Sequence, residues 1–86
     1  MNIYVGNLDY RVNENDLEDL FQEYGTVSSS KIITDKYNGR SKGFGFITME
    51  SNDEANKAIS ELNGTSYEDR DIVVNEARPR KTNYND

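Results

Sequence analysis

The residues best placed to do chemistry in this chain lie in two short segments, Ile3-Tyr4-Val5-Gly6-Asn7-Leu8 and Lys42-Gly43-Phe44-Gly45-Phe46-Ile47-Thr48-Met49. Each segment reads as a β-strand, whose side chains alternate between two faces. In the second, Lys42, Phe44, Phe46 and Thr48 share one face, and Ile47 and Met49 share the other. In the first, Ile3 and Val5 turn to the core side and Tyr4 to the opposite side. Three aromatic rings are thus expected on the face that meets water, with Lys42 beside them. The chemistry such a group offers is stacking of flat heterocycles, nucleic-acid bases above all. Gly43 and Gly45 reinforce this reading, because they bring no side chain to the core face. A strand that hides glycine and shows phenylalanine inverts the usual burial preference.

Other chemistries are poorly supplied. The 86 residues include no cysteine and no histidine. Disulfides, thiolate or imidazole zinc sites and Cys-His or Ser-His-Asp constellations are therefore excluded, and no metal or other cofactor is expected. The length suits one domain with one modest core, and 34% hydrophobic against 30% charged residues suits a small soluble domain dominated by its surface. No apolar run reaches the length of a membrane span, and no signal-peptide pattern precedes the first strand, so no membrane contact and a cytoplasmic location are expected.

Along the chain, the elements that carry these rings read β-α-β-β-α-β. Asn13 can cap a first helix, with Asp16 at its third position. Leu17, Leu20, Phe21 and Tyr24 recur at helical spacing as one apolar face, and Gly25 is read as the stop. A second strand runs near Val27 to Thr34, with Ile32 inward and Lys31 and Ile33 outward, although its three serines leave the register open. Asp35 to Ser41 is a polar loop turning at Asn38-Gly39. Ser51 and Glu54 read as a capping box for a second helix, whose apolar face is Ala55, Ala58, Ile59 and Leu62. Asn63-Gly64 ends it; Asn63-Gly64-Thr65 also matches a glycosylation sequon, but is read as a helix stop alone. Residues 65–71 form a loop with a short hairpin around Tyr67. The last strand is expected at Ile72 to Asn75, with Ile72 and Val74 inward and Val73 outward. The domain is placed at residues 1–79 and a short polar tail at 80–86.

Charge is the feature at odds with base stacking, since the net charge is −6 and nucleic-acid binders draw affinity from neutralising phosphates. Its distribution resolves part of the conflict. Segments 31–42 and 78–81 carry Lys31, Lys36, Arg40, Lys42, Arg78, Arg80 and Lys81 against the single acid Asp35. The helical segments carry Glu14, Asp16, Glu18, Asp19, Glu23, Asp53, Glu54 and Glu61 against Lys57 alone. With both helices behind the sheet, the back is acidic and the rim of the front is basic. Most of those acids are read as solvated surface.

The two ring-bearing segments resemble the paired signatures of the RNA recognition motif (RRM) family. Lys42 to Met49 follows the longer signature, except that Met49 replaces a final aromatic on the core side. Ile3 to Leu8 matches the shorter one throughout. The resemblance covers roughly residues 2–79, and the chain looks like the small single-RRM proteins of bacteria. It implies an α+β, ferredoxin-like split β-α-β fold, a four-stranded antiparallel sheet with two helices on one face. It also implies a single-stranded RNA partner, with some capacity for single-stranded DNA, and post-transcriptional regulation of messenger RNA. By the same resemblance Tyr4 and Phe46 stack bases, Phe44 packs on sugar, and Lys42 meets phosphate or a base edge. Arg78 and Arg80 close over the strand, Asn75 and Glu76 read base edges through side-chain or main-chain groups, and Asn2, Lys31 and Val73 are further face positions.

Two rival readings are weighed beside this one. An RRM can instead serve as a protein-interaction module, and the acidic helical face would suit a basic protein partner. Against a covered sheet stand three intact platform aromatics; against the peptide-binding subclass stands Ser66-Tyr67-Glu68-Asp69-Arg70, which lacks its Arg-x-Phe segment. The second rival is an enzyme on the same scaffold, such as an acylphosphatase. It would need a phosphate cradle after the first strand, where Gly6-Asn7-Leu8-Asp9-Tyr10-Arg11 offers one glycine and an acid. A non-enzymatic, monomeric RNA binder is the expectation.

Overall fold

A computed structural model describes residues 1–77 of the chain. The boundary at residue 79, the tail 80–86, and with them Arg78 and Arg80, lie outside the described residues. The elements run β1 (Asn2–Gly6), α1 (Glu14–Gln22), β2 (Val27–Thr34), β3 (Ser41–Met49), α2 (Asn52–Leu62), β4 (Ser66–Tyr67), β5 (Arg70–Asp71) and β6 (Val73–Glu76). The main sheet is antiparallel in the order β2-β3-β1-β6, which puts the two ring-bearing strands at its centre. This is the ferredoxin-like α+β arrangement, with a two-stranded hairpin, β4–β5, added before the last strand.

Alternation along the central strands builds the core. Ile3, Val5, Ile47, Met49 and Val74 face the helices and are fully buried against Leu17, Phe21, Ala55 and Ala58. Met49 occupies a core position, so its thioether bears on packing and not on the ring face. The amino terminus lengthens this centre: the Met1 ammonium donates to the Met49 carbonyl at 2.6 Å and the Met49 N–H to the Met1 carbonyl at 3.0 Å.

Helix α1 starts with a reciprocal capping box, in which the Asp16 N–H donates to Asn13 Oδ1 at 2.8 Å and the Asn13 N–H to Asp16 Oδ2 at 3.2 Å. It ends before Gly25, through a tight turn closed by the Tyr24 N–H on the Phe21 carbonyl. The capping box expected at α2 forms only in half. Ser51 Oγ accepts from the Glu54 N–H, while the Glu54 carboxylate accepts from the Thr26 N–H instead, tying α2 to the segment after α1. Asn63 and Gly64 do end α2, and Asn63 Oδ1 then accepts from the Val74 N–H at 3.0 Å on the outer edge of β6.

Two expectations shift. The last strand begins at Val73, because Ile72 pairs with the loop after α2: its N–H donates to the Thr65 carbonyl and its carbonyl accepts from the Gly64 N–H. Ile72 and Val74 are nonetheless buried and Val73 is exposed, as the alternation requires. Strand β2 carries two register shifts, between Val27 and Ser29 and between Ile32 and Thr34.

Candidate nucleic-acid interface

The register of four strands assembles the face opposite the helices. Tyr4 lies opposite Phe46 on β3 and opposite Asn75 on β6, while Phe46 lies opposite Lys31 on β2. One row therefore crosses the whole sheet as Asn75, Tyr4, Phe46, Lys31. A second row runs alongside, where Asn2 and Ser29 both face Thr48, and the Ala77 N–H bonds the Asn2 carbonyl. The Thr48 hydroxyl donates to Asn2 Oδ1 at 2.9 Å, which fixes that amide at the edge of the rings. Ala77, Asn2, Ser29, Lys31, Phe46 and Thr48 enclose a shallow depression of about 270 Å³. Neither row contains an acidic residue, so the net negative charge lies elsewhere on the molecule.

The rings touch without consuming one another. Tyr4 sits 5.9 Å from both Phe44 and Phe46 between centroids, and Phe44 sits 6.3 Å from Phe46. The interplanar angles are 34° for Tyr4 with Phe44, 64° for Tyr4 with Phe46 and 90° for Phe44 with Phe46. Tilted and edge-to-face contacts of this kind are worth about 0.5–1.5 kcal/mol per pair beyond burial. They brace the trio while leaving ring faces, all half-buried, available to a flat ligand.

Two glycines make the geometry possible. Gly6 shares the ring face with Tyr4, and a side chain on Gly6 would collide with the Tyr4 hydroxyl and its ring carbons. Gly45 lies under the rings between Phe44 and Phe46. A Cβ there would be driven into the Lys31 carbonyl oxygen and would meet Ile32 Cδ1 at 3.1 Å. The glycine thus lets β2 approach β3 closely enough to bring Lys31 beside Phe46.

The structure brings together Tyr4, Phe46, Lys31 and Asn75, with Asn2 one row along and Phe44 and Lys42 toward the other end of β3. Glu76 does not join them. Its register partner is the buried Ile3, and it shares strand parity with Val74, so its side chain belongs to the helix side of β6. Only its main chain remains for reading bases: Asn75 and Ala77 bond inward to β1, which turns the Glu76 N–H and C=O outward from the sheet edge. Arg11, in the loop after β1, is engaged by Asp9 at 3.0 Å. That hydrogen bond holds the Asp9 carboxyl below the usual carboxylate range and raises the Arg11 guanidinium. Sequence reasoning did not single out Gly6. The signal was present, since Gly6 follows Tyr4 by two and so shares its face.

Residues 3–73 match the family model of the RNA recognition motif. The chain is 47% identical over 81 residues to the protein RbpA of Synechocystis sp., covering 94% of this chain and 80% of that one. It superposes on the crystal structure of an RNA binding protein called PG1 with a TM-score of 0.91 and 52% identity, covering 94% of this chain and 98% of the other. A structure of a Sxl-lethal protein in complex with RNA matches with a TM-score of 0.87 and 28% identity, covering 94% of this chain and 48% of that one.

Proposed function

The chain belongs to the RNA recognition motif family, and from that premise we propose that it binds single-stranded RNA on the ring-bearing face of the sheet. The row Asn75, Tyr4, Phe46, Lys31 carries this reading: stacking surfaces at the centre, an amide at one end and a cation at the other. Among the described residues both helices pack on the opposite face, so nothing in them covers the rings. Bases splayed from a single strand stack on Tyr4 and Phe46, with Phe44 against the sugars, at about 1–3 kcal/mol per base. Lys31 and Lys42 take phosphates, while Asn2, Asn75 and the Glu76 main chain supply the polar groups that distinguish bases. Single-stranded DNA offers the same flat faces and binds as a second ligand.

In the cell, the protein acts as a monomer on messenger RNA after transcription, in the cytoplasm, as a binder and not as a catalyst. Few phosphate contacts and an overall negative charge imply modest affinity and a shallow salt dependence, about 0.7 in log–log slope per phosphate neutralised.

The test is a fluorescence-anisotropy titration of a randomised single-stranded RNA pool with wild type and a Phe44→Ala/Phe46→Ala variant, with far-UV circular dichroism to show that the variant folds. Binding by wild type and its loss in the folded variant is the expected result. Equal binding by both proteins, or none by wild type, would overturn the reading and turn attention to the acidic helical face.

A further inference from the structure

Tyr10 is an aromatic side chain that the fold holds in place without burying. It is 65% exposed, yet three contacts restrain its surroundings. The Arg11 guanidinium and N–H both bond Asp9 Oδ1, closing the loop around Tyr10. The Arg70 guanidinium, delivered by the β4–β5 hairpin, sits 5.6 Å from the ring centroid. Tyr10 also lies against β3 at Gly43, where a Cβ would stand 3.3 Å from its Cε1. Ordering a side chain costs conformational entropy, and here little burial offsets it. The segments that bring Tyr10 and Arg70 together also contain the described non-glycine residues with positive φ, namely Asn7 at 56°, Glu68 at 53° and Asp69 at 67°. Glu68 and Asp69 are the two central residues of the β4–β5 hairpin, whose tight turn takes positive φ at both and so fixes where Arg70 is delivered.

Between Tyr10 and Phe44 runs an open groove of about 450 Å³, continuous with the ring face. Arg40 and Lys42 line it as cations and Asp35 as its acid. The Asp35 carboxylate is already engaged, its Oδ1 accepting from the Tyr37 N–H at 2.7 Å and the Asn38 N–H at 3.4 Å. An aromatic wall and two cations against one acid suit one nucleotide, its base on the ring and its phosphate at Arg40 or Lys42.

We propose that the RNA-binding surface continues past the sheet into this groove, where Tyr10 stacks one further base next to the nucleotide on Phe44. The proposal rests on the reading of the ring face as an RNA site. It makes Tyr10 a length-dependent contact, used only by strands long enough to leave the sheet.

A series of single-stranded oligoribonucleotides, lengthened one nucleotide at a time, tests it against wild type, Tyr10→Ala, Tyr10→Phe, Arg40→Gln and Phe46→Ala, with thermal melts as folding controls. Wild-type affinity is expected to rise by a step at the length that reaches the groove. Tyr10→Ala loses that step, a loss of about fivefold or more, and binds the shorter strands as wild type does. Tyr10→Phe keeps the step and Arg40→Gln shrinks it. Wild-type behaviour of Tyr10→Ala at every length overturns the proposal, as does a uniform loss at every length, which would mark Tyr10 as a packing residue. Both results leave the sheet reading standing. Unchanged binding by Phe46→Ala at every length sinks the sheet reading and the groove proposal with it.

Discussion

The two faces of the central strands use the same backbone for opposite ends. On the helix side, Ile3, Val5, Ile47 and Met49 are fully buried aliphatic side chains filling one continuous core. On the other side, one residue along in each strand, Tyr4, Phe44 and Phe46 stay half-exposed and brace one another. Stability is thus concentrated behind the sheet, and the surface in front is rigid without being sealed. The glycines show which side was accommodated: Gly45 gives up a core-side side chain so that β2 and β3 close up, and Gly6 gives up one in front so that the Tyr4 ring can lie down.

The largest effects should separate the faces. Ile47→Ala is expected to cost about 2–5 kcal/mol of stability, read by urea denaturation, while the protein that remains folded binds RNA normally. Phe46→Ala is expected to do the reverse, weakening RNA binding by about 1–3 kcal/mol with a smaller loss of stability than Ile47→Ala. Equal stability losses for the two, with binding unchanged in both, would erase the distinction. Gly45→Ala should affect both properties, since the added methyl meets the β2 backbone; about 1–3 kcal/mol of destabilisation is expected, with weaker RNA binding as Lys31 and Phe46 move apart.

Smaller effects sharpen the electrostatic side. Lys31→Gln should lower the log–log salt slope of RNA binding by about 0.7 if this lysine neutralises one phosphate, and the slope should be unchanged in Lys57→Gln on α2. The smallest effect is expected at the Asp9–Arg11 pair. Because folding lowers the Asp9 pKa, its contribution is present above the unfolded value of about 3.9 and is lost as pH falls through the lower folded value. Asp9→Asn should lower the melting temperature slightly at neutral pH and flatten the acid-side decline, so that the two proteins converge at low pH.

Much of this arrangement is legible in the sequence because it depends on local periods. The two-residue alternation in β3 separates rings from core, the helical spacing of Leu17, Leu20 and Phe21 gives the packing face of α1, and Asn13 with Asp16 gives its cap. Non-local partners are what escape. Glu54 pairs with Thr26 rather than closing its own capping box, and Ile72 pairs with residues 64 and 65 rather than with β1. The serines of β2 carry no apolar pattern from which its two register shifts could be read. The contact of Arg70 with Tyr10 joins loops far apart in the chain and leaves no periodic trace. Glu76 is a different case: resemblance offered either its side chain or its main chain, and the inward Val74 two residues earlier assigns the side chain to the helix side.

The most direct measurement is amide-resolved NMR of the folded protein during titration with single-stranded RNA. Shift changes are expected at Tyr4, Phe44, Phe46, Lys31, Asn75 and their strand neighbours, with the exposed faces of α1 and α2 unmoved. Changes confined to the acidic helices, with the central strands silent, would contradict binding on the ring face.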